Sequence, residues 1–360
     1  MTHVPPDPSC TVPAFDPALF RGRRVLVTGH TGFKGAWMAE WLLAIGADVH
    51  GIALPPESDG SLFERLGHSA RLHHVVTDIR DAPALAREVA RIRPDVVIHM
   101  AAQALVRRSY REPLETWATN VLGTLNLLEA LRATGAPSVV VVVTTDKVYR
   151  NREWDYPYRE VDELGGHDPY SASKAACEIA VTSWRSAYPD SGIALSTARA
   201  GNVLGGGDWS EDRIVPDCYR AWSSNHPAPV RNPGSTRPWQ HVLEPLSGYL
   251  LLAQQLLASP DSAPDCCNFG PGPGGDRTVR ELVDGLARGR PWTDASEPGA
   301  VHEARSLSLS IDRARHVLGW TPRLDIAEML EWVDRGYSAG ADVADIVREQ
   351  VRTYHARCIA

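Results

Sequence analysis

No segment of this chain approaches the roughly 18 uninterrupted apolar residues of a membrane-spanning helix, so no span is expected. Cysteine is sparse and unpatterned. The six residues Cys10, Cys177, Cys218, Cys266, Cys267 and Cys358 follow neither zinc-ligand spacing nor a disulfide framework. A reducing cytoplasm is therefore the expected compartment, and no metal site is expected. Positive charge is not in excess: the net charge of −7 argues against a non-specific nucleic-acid binder, while scattered arginines leave room for a local anion site. Met1 to Phe20 holds five prolines and no long apolar run, so it lacks the character of a signal peptide or anchor and reads as a loose leader. Internal repeats are absent too. What remains is a 360-residue chain, 43% hydrophobic and 22% charged, long enough for a large core and more than one domain.

Two short motifs carry the chemistry. Thr28-Gly29-His30-Thr31-Gly32-Phe33-Lys34-Gly35 follows the apolar run Arg24-Val25-Leu26-Val27 and opens a helical pattern through Ala36, Trp37, Trp41 and Leu42. Strand, glycine turn and helix form the context a dinucleotide pyrophosphate needs. Glycines let the backbone approach the phosphates, and the helix N-terminus supplies free N–H groups. Downstream stands Tyr170-Ser171-Ala172-Ser173-Lys174. Tyrosine and lysine four apart share a helix face. A nearby ammonium and a cationic nicotinamide both favour tyrosinate, turning a weak acid into a base. Each motif alone is common by chance; their order and context give them meaning. Cys177, three residues after Lys174, reads as core packing.

The first half alternates strand and helix. Strands are expected at Arg24–Thr28, Asp48–Ala53, His74–Thr77, Val96–Met100 and Val139–Thr145, and helices at Gly32–Ile45, Ala82–Arg91, Pro113–Thr134 and Pro169–Ala187. Val139 to Val143 is a β-branched run without polar alternation, as in a central parallel strand covered on both faces. The pattern predicts an α/β fold: a Rossmann-type doubly wound parallel sheet with a smaller C-terminal substrate-binding domain. Its boundaries are read as a leader over 1–20, a dinucleotide-binding domain over 21–199, and a mainly substrate-binding domain over 200–360 interleaved with the last strands. After Arg199 the texture becomes loop-rich, with four glycines between Gly201 and Gly207 and four prolines between Pro227 and Pro238. Short helices are expected near Ile214–Trp222, Glu244–Ala258, Thr278–Ala287 and Ile326–Arg335. Ligands of such sheets lie at the carboxyl ends of the strands. There the sequence places the glycine loop, Ala101-Ala102-Gln103, and Thr144-Thr145-Asp146-Lys147.

From about Arg24 to about Leu324 these residues resemble the extended short-chain dehydrogenase/reductase family, many of whose members act on nucleotide sugars. The family's TGxxGxxG loop is matched by Thr28, Gly29, Gly32 and Gly35, with Thr31 and Phe33 inside it, and its adenine contact by Asp78-Ile79. Within the family the chain is similar to the 4,6-dehydratases, those of CDP-glucose above all. Four stretches carry this: Gly29 to Gly35; Ala101 to Tyr110; Asn151-Arg152-Glu153-Trp154; and Arg231-Asn232-Pro233 with Thr236-Arg237-Pro238-Trp239-Gln240-His241-Val242-Leu243-Glu244-Pro245. His302-Glu303-Ala304 and Leu318-Gly319-Trp320-Thr321-Pro322 add to it.

The resemblance implies the site. Such an enzyme oxidises the sugar C4 hydroxyl, eliminates water across C5 and C6, and returns the hydride to C6. Tyr170 would be the base at O4, with Lys174 steering its pKa and holding the nicotinamide ribose, and Thr145 hydrogen-bonding O4. Asp146 would be the acid for O6 and Lys147 the base at C5 or its electrostatic helper, the reverse assignment staying open. In dTDP-glucose dehydratases glutamate stands in place of Lys147. A lysine must first lose its proton, through burial or nearby positive charge. Ala101, Ala102 and Gln103 would join the cofactor contacts. Asn202 and Arg237 would contact the substrate's phosphates; His241, four residues on, could support the same subsite or be a packed structural histidine, Arg231 is a further candidate or a solvated surface arginine, and Trp209 or Trp239 could stack on the base or lie in the core. NAD is the expected cofactor, because a closed redox cycle needs no reducing pool. The second strand ends Ala53-Leu54-Pro55-Pro56, with neither the acid that clamps an NAD ribose nor an arginine. The expected partners are a nucleotide sugar, CDP-glucose favoured, and a second copy of the chain in a homodimer, or a tetramer, packed through Pro113–Thr134 and Pro169–Ala187. A dehydratase, 4-epimerase or reductase for another nucleotide sugar keeps the same fold, and a cofactor sensor without chemistry is the non-enzyme reading.

Overall fold

The computed structural model describes residues 14–272, 274–296 and 306–359, so Cys10, the first part of the leader and His302-Glu303-Ala304 lie outside the described residues. At its centre is a seven-stranded sheet: β1 (Arg24–Thr28), β2 (Asp48–Ala53), β3 (His73–Val76), β4 (Val96–His99), β5 (Ser138–Val143), β6 (Ile193–Ala200) and β7 (Cys266–Phe269). Their spatial order is β7-β6-β5-β4-β1-β2-β3, every neighbouring pair parallel. Chain order reverses between β1 and β4, the switch point at which a doubly wound sheet opens a crevice. The valine run has the burial its pattern demands, every residue of β5 being covered. Layers of core lie on both faces, one around Trp37, Trp41, Leu246 and Tyr249, the other around Leu26, Leu85, Leu127 and Val181.

Local chemistry sets the helices that matter. Helix α1 (Phe33–Ala44) starts directly from the glycine turn. The second key helix, α2 (Pro169–Ala187), begins at a reciprocal cap: Asp168 Oδ1 accepts from Ser171 N–H at 2.9 Å, and Ser171 Oγ accepts from Asp168 N–H at 3.1 Å. Pro169 at its first position gives up no needed donor. A smaller lobe packs helices Ile214–Ser223, Val279–Ala287 and Ile326–Ser338 around Tyr219, Trp222, Leu282, Val283 and Val333. Gly206 and Gly336, both in the 200–360 segment, meet backbone to backbone. A Cβ at Gly206 would stand 2.7 Å from Gly336 Cα, and one at Gly336 2.6 Å from Gly206 Cα.

Several expectations are corrected. Residues 14–20 are no loose leader: Phe15 and Phe20 are buried, and Gln254 receives Asp16 N–H at 2.8 Å while donating to Ala14 O at 2.9 Å. The expected helix Pro113–Thr134 is Pro113–Trp117, a π turn Ala118–Leu122, then Gly123–Ala133. β5 stops at Val143; Thr144 N–H still bonds Ala198 O of β6 at 2.8 Å, and Thr145 is the first residue free of the sheet. The sequence reading missed β6, β7, Val106–Arg111 and the C-terminal helix Val343–Ile359.

Candidate active site

A cleft of about 1690 Å³ runs along the carboxyl ends of the strands and between the two lobes. Its walls include Gly29, Thr31, Gly32, Phe33 and Gly35 of the glycine loop, Asp78 and Ile79, Ala101 to Gln103, Thr145 to Lys147, Tyr170, Lys174, Asn202, Arg231 and Arg237. Of the expected site residues only His241 is not among them. It is fully buried, with its ring edge-on to Trp37 at 5.4 Å and to Trp332 at 5.5 Å, and burial lowers its pKa to about 3. It wedges α1 against the smaller lobe instead of meeting a phosphate.

The glycine turn is shaped for close approach. Gly29 has φ +74°, and a Cβ there would meet Ala101 backbone at 2.8 Å. A Cβ at Gly35 would lie 2.1 Å from Gly29 O. Gly32, by contrast, meets nothing closer than 3.5 Å, leaving its face open to the cleft. These are the features a dinucleotide pyrophosphate requires, so the residues present fit NAD. His30 turns away from the cleft and donates to or accepts from His74 across 2.7 Å; burial takes its pKa to about 3 and keeps it neutral. Gly51 on β2 makes the room for it, since a Cβ there would sit 2.5 Å from the His30 ring.

At the far end of the nicotinamide half, Thr145 Oγ1 donates to Asp146 Oδ1 at 2.9 Å and is hydrogen-bonded to the Tyr170 hydroxyl. Lys147 Nζ stands 4.0 Å from Asp146 Oδ1. Asp146 is 1% exposed, and its other oxygen, Oδ2, has no hydrogen-bond partner among the described residues. An unpaired buried carboxylate oxygen is costly unless a substrate group completes it. Lys174 Nζ donates to Val143 O at 3.0 Å, which fixes the ammonium at the end of β5. Burial lowers the Lys174 pKa. Burial raises Tyr170 to about 12, Thr145 pulling the other way. The Lys147 pKa is lowered: burial is the main cause, Asp146 opposes it, and Arg237 and Arg213 reinforce it. The lysine side chain still keeps 28% of its surface on the cleft. Positive charge around Lys147, a condition for a lysine base, is therefore present.

The loops are held by groups that the sequence reading missed. Asn120, in the π turn, accepts Gln103 N–H at 2.9 Å and donates to Gln103 O at 3.1 Å and to Ser173 Oγ at 2.9 Å. It ties the Ala101–Gln103 loop to the Tyr170 helix. Gln103 spends its own amide on Thr116 and Leu105, so its part is to shape the loop. Lys34 was quoted only as loop sequence, yet it lines the cleft with Nζ 5.9 Å from the Tyr249 ring centre. Its pKa falls to about 8 through burial, Arg213 and Lys174, with Asp146 opposing. No spacing rule singles out either residue.

In the substrate half, Asn202 Oδ1 is buried without a partner among the described residues, and Arg237 is buried with Nη1 on Thr236 O at 2.8 Å. Arg231 is held by Asp212 at 3.1 Å, which offsets its charge. Trp239 is buried and Trp209 half-exposed, both on the cleft. Asp78 is bound by Arg80, whose Nη2 lies 2.6 Å from Oδ2 and holds its pKa low. Glu57, beyond the end of β2, also reaches the cleft, where Arg108 takes it at 2.5 Å.

Comparison with known proteins agrees with this geometry. Residues 26–262 match the family model described as GDP-mannose 4,6 dehydratase. A CDP-glucose 4,6-dehydratase of Salmonella typhimurium is 41% identical over 353 residues, covering 94% of this chain and 98% of that protein. A UDP-glucose 4-epimerase of Mycolicibacterium smegmatis is 29% identical, covering 85% and 95%. Among solved structures, DesIV, a dTDP-glucose 4,6-dehydratase of Streptomyces venezuelae with NAD and TYD bound, superposes with a TM-score of 0.74 at 27% identity, covering 88% of this chain and 98% of that one. The chain belongs to the 4,6-dehydratase family within the extended short-chain dehydrogenase/reductases.

Proposed function

We propose that the protein is an NAD-dependent lyase that converts CDP-glucose into CDP-4-keto-6-deoxyglucose and water. The observation that carries the reading is the convergence of an acid and a lysine, Asp146 and Lys147, on the same cleft end as Thr145 and Tyr170. Epimerisation or simple reduction has no use for such a pair. The 41% identity to a CDP-glucose 4,6-dehydratase supports the choice of nucleotide.

NAD, bound along the glycine loop, Asp78-Ile79 and Ala101–Gln103, supplies the hydride acceptor for C4 and the donor for C6. Tyr170 takes the O4 proton as the C4–H bond breaks and C4 becomes a ketone. Burial raises the Tyr170 pKa, and Lys174 together with the positive charge of bound NAD would act to bring it down. The new ketone acidifies C5–H, and Lys147, in its neutral form, removes that proton. Asp146, as the acid, gives a proton to O6 as the C6–O bond breaks, so one water leaves and a C5=C6 double bond remains. Lys147 returns its proton to C5 as C6 is reduced, and the proton that Tyr170 took from O4 passes through Thr145, hydrogen-bonded to both, to Asp146, which closes the balance. Thr145 holds O4 throughout. Arg237 and Asn202 hold the diphosphate, Arg237 as the charged donor and Asn202 as a neutral one.

We also place the protein in the cytoplasm as a homodimer. Leu114, Leu122 and Ile179 are 84%, 58% and 60% exposed on the two helical segments that would form the dimer's four-helix contact. No helix among the described residues is long and apolar enough to cross a membrane. The test of function is a mass-spectrometric assay of purified protein with NAD and CDP-, dTDP-, UDP- and GDP-hexoses. Loss of one water from CDP-glucose, without net reduction of NAD, is expected. Water loss only from another nucleotide sugar overturns the substrate, and a change of configuration without water loss overturns the reaction.

A further inference from the structure

At the end of the sheet opposite the cleft, Asp48, His50 and His73 stand together. The sheet itself fixes their meeting. Asp48 and His50 are two apart on β2 and so share a face. Edge strand β3 runs parallel to β2 with His73 in register opposite His50, which puts the third side chain on that face. His50 Nε2 lies 3.2 Å from Asp48 Oδ2, and His73 Nε2 lies 3.3 Å from Asp48 Oδ1. The two imidazoles are stacked, 4.5 Å between centres and 18° between planes, so both present Nε2 to the same carboxylate. One donor atom from each residue lies within 4.8 Å of the others.

These separations have a chemical meaning. Around a four-coordinate ion with bonds of about 2.0–2.2 Å, ligand atoms stand roughly 3.3–3.6 Å apart. The two nitrogen–oxygen separations, 3.2 and 3.3 Å, stand at the short edge of that range, one to each oxygen of Asp48. His50 is buried, while His73 keeps 63% of its side chain exposed, so the group opens to solvent on one side. Two nearby cations are engaged elsewhere, Arg24 with Asp95 at 2.9 Å and Arg91 with Glu88 at 2.9 Å. Two imidazoles and one carboxylate suit zinc, cobalt or nickel over magnesium or calcium.

We propose that Asp48, His50 and His73 bind one divalent transition-metal ion of the zinc class, solvent completing its shell, and that the ion staples edge strand β3 to β2. β3 is four residues long and paired on one side only. Its far end runs into Asp78 and Ile79 on the cleft wall, so a staple at its base steadies the adenine end of the cleft without touching the reacting atoms. Spacing along the chain could not reveal this group, because it forms only across two strands.

The test is a zinc titration of the full-length, tag-free protein against a chromogenic chelator, with cobalt as a second probe. One ion per chain is expected, with the visible cobalt spectrum of a low-coordinate site and a rise in melting temperature with zinc. His73→Ala and Asp48→Asn should each weaken binding about tenfold or more and abolish the thermal rise. His73 is 63% exposed, so its loss should leave the fold intact. Dehydration by the wild type should be unchanged by chelator over the assay. Failure to bind, or binding that both variants retain, overturns the site; thermal stabilisation that persists in both variants overturns the staple.

Discussion

Lys147 is the residue on which the chemistry turns, and two substitutions separate what it does. Replacing it by alanine removes the amine 4.0 Å from Asp146 Oδ1 while leaving Thr145, Tyr170 and Lys174 in place. A positioned base contributes about 10²–10⁴ in rate, so Lys147→Ala should slow water loss by that factor, about 3–5 kcal/mol of barrier. Oxidation at C4 needs only Tyr170, so the variant should accumulate a 4-keto hexose and reduced nicotinamide, read by absorbance beside mass spectrometry. Lys147→Arg keeps the charge but stays cationic at every working pH. If lysine is the C5 base, arginine is as inactive as alanine; an active arginine variant would make it an electrostatic helper. The pH profile carries the same information. A lysine base works neutral, so the rate should rise with pH towards the folded pKa and level off below the ordinary 10.5, because burial, Arg237 and Arg213 lower that pKa. Normal dehydration by Lys147→Ala would refute the assignment.

Three further expectations follow from the same geometry. Tyr170→Phe should abolish oxidation at C4 while the dissociation constant for CDP-glucose, by calorimetry, changes little; full turnover would remove Tyr170 as the base. Arg237→Ala should weaken nucleotide-sugar binding ~10- to 150-fold, the equivalent of about 1.5–3 kcal/mol for hydrogen bonds to a charged group, and an unchanged constant would move the diphosphate elsewhere. Glu178→Ala strips Arg199 of a two-pronged partner at 2.9 Å on each arm, both groups being almost wholly buried. An uncompensated buried charge costs about 3–5 kcal/mol, to be read as a shift in denaturant midpoint; an unmoved midpoint would mean that water or another acid takes over.

Legibility in the sequence followed the range of the interactions. The valine run of β5 and the Asp168-Pro169 start of α2 were readable because a few adjacent residues decide them. The site was largely readable because motif residues sit at strand ends, which topology gathers into one crevice. What escaped depends on distant partners. β7 is a strand only because it pairs with β6, some 70 residues earlier in the chain. The C-terminal helix Val343–Ile359 buries Val347, Val351 and Tyr354 against a core that the sequence places elsewhere. Asn120 gains its part from a π turn inside a helix whose pattern looks regular. For His241 the packed reading is the one the structure favours: its motif lies at the cleft while its ring is buried between Trp37 and Trp332.

One backbone contact limits how this protein can change. Gly206 and Gly336 face each other with no space for a methyl group on either. Neither position can accept a larger residue while the other backbone stays where it is, and making one smaller is impossible. A lineage altering the substrate loop therefore has no stepwise route through this pair: it must move the whole Ile326–Ser338 helix or leave both glycines alone. Variation in sugar or nucleotide preference is consequently channelled to cleft-facing side chains such as Trp209, which is 43% exposed.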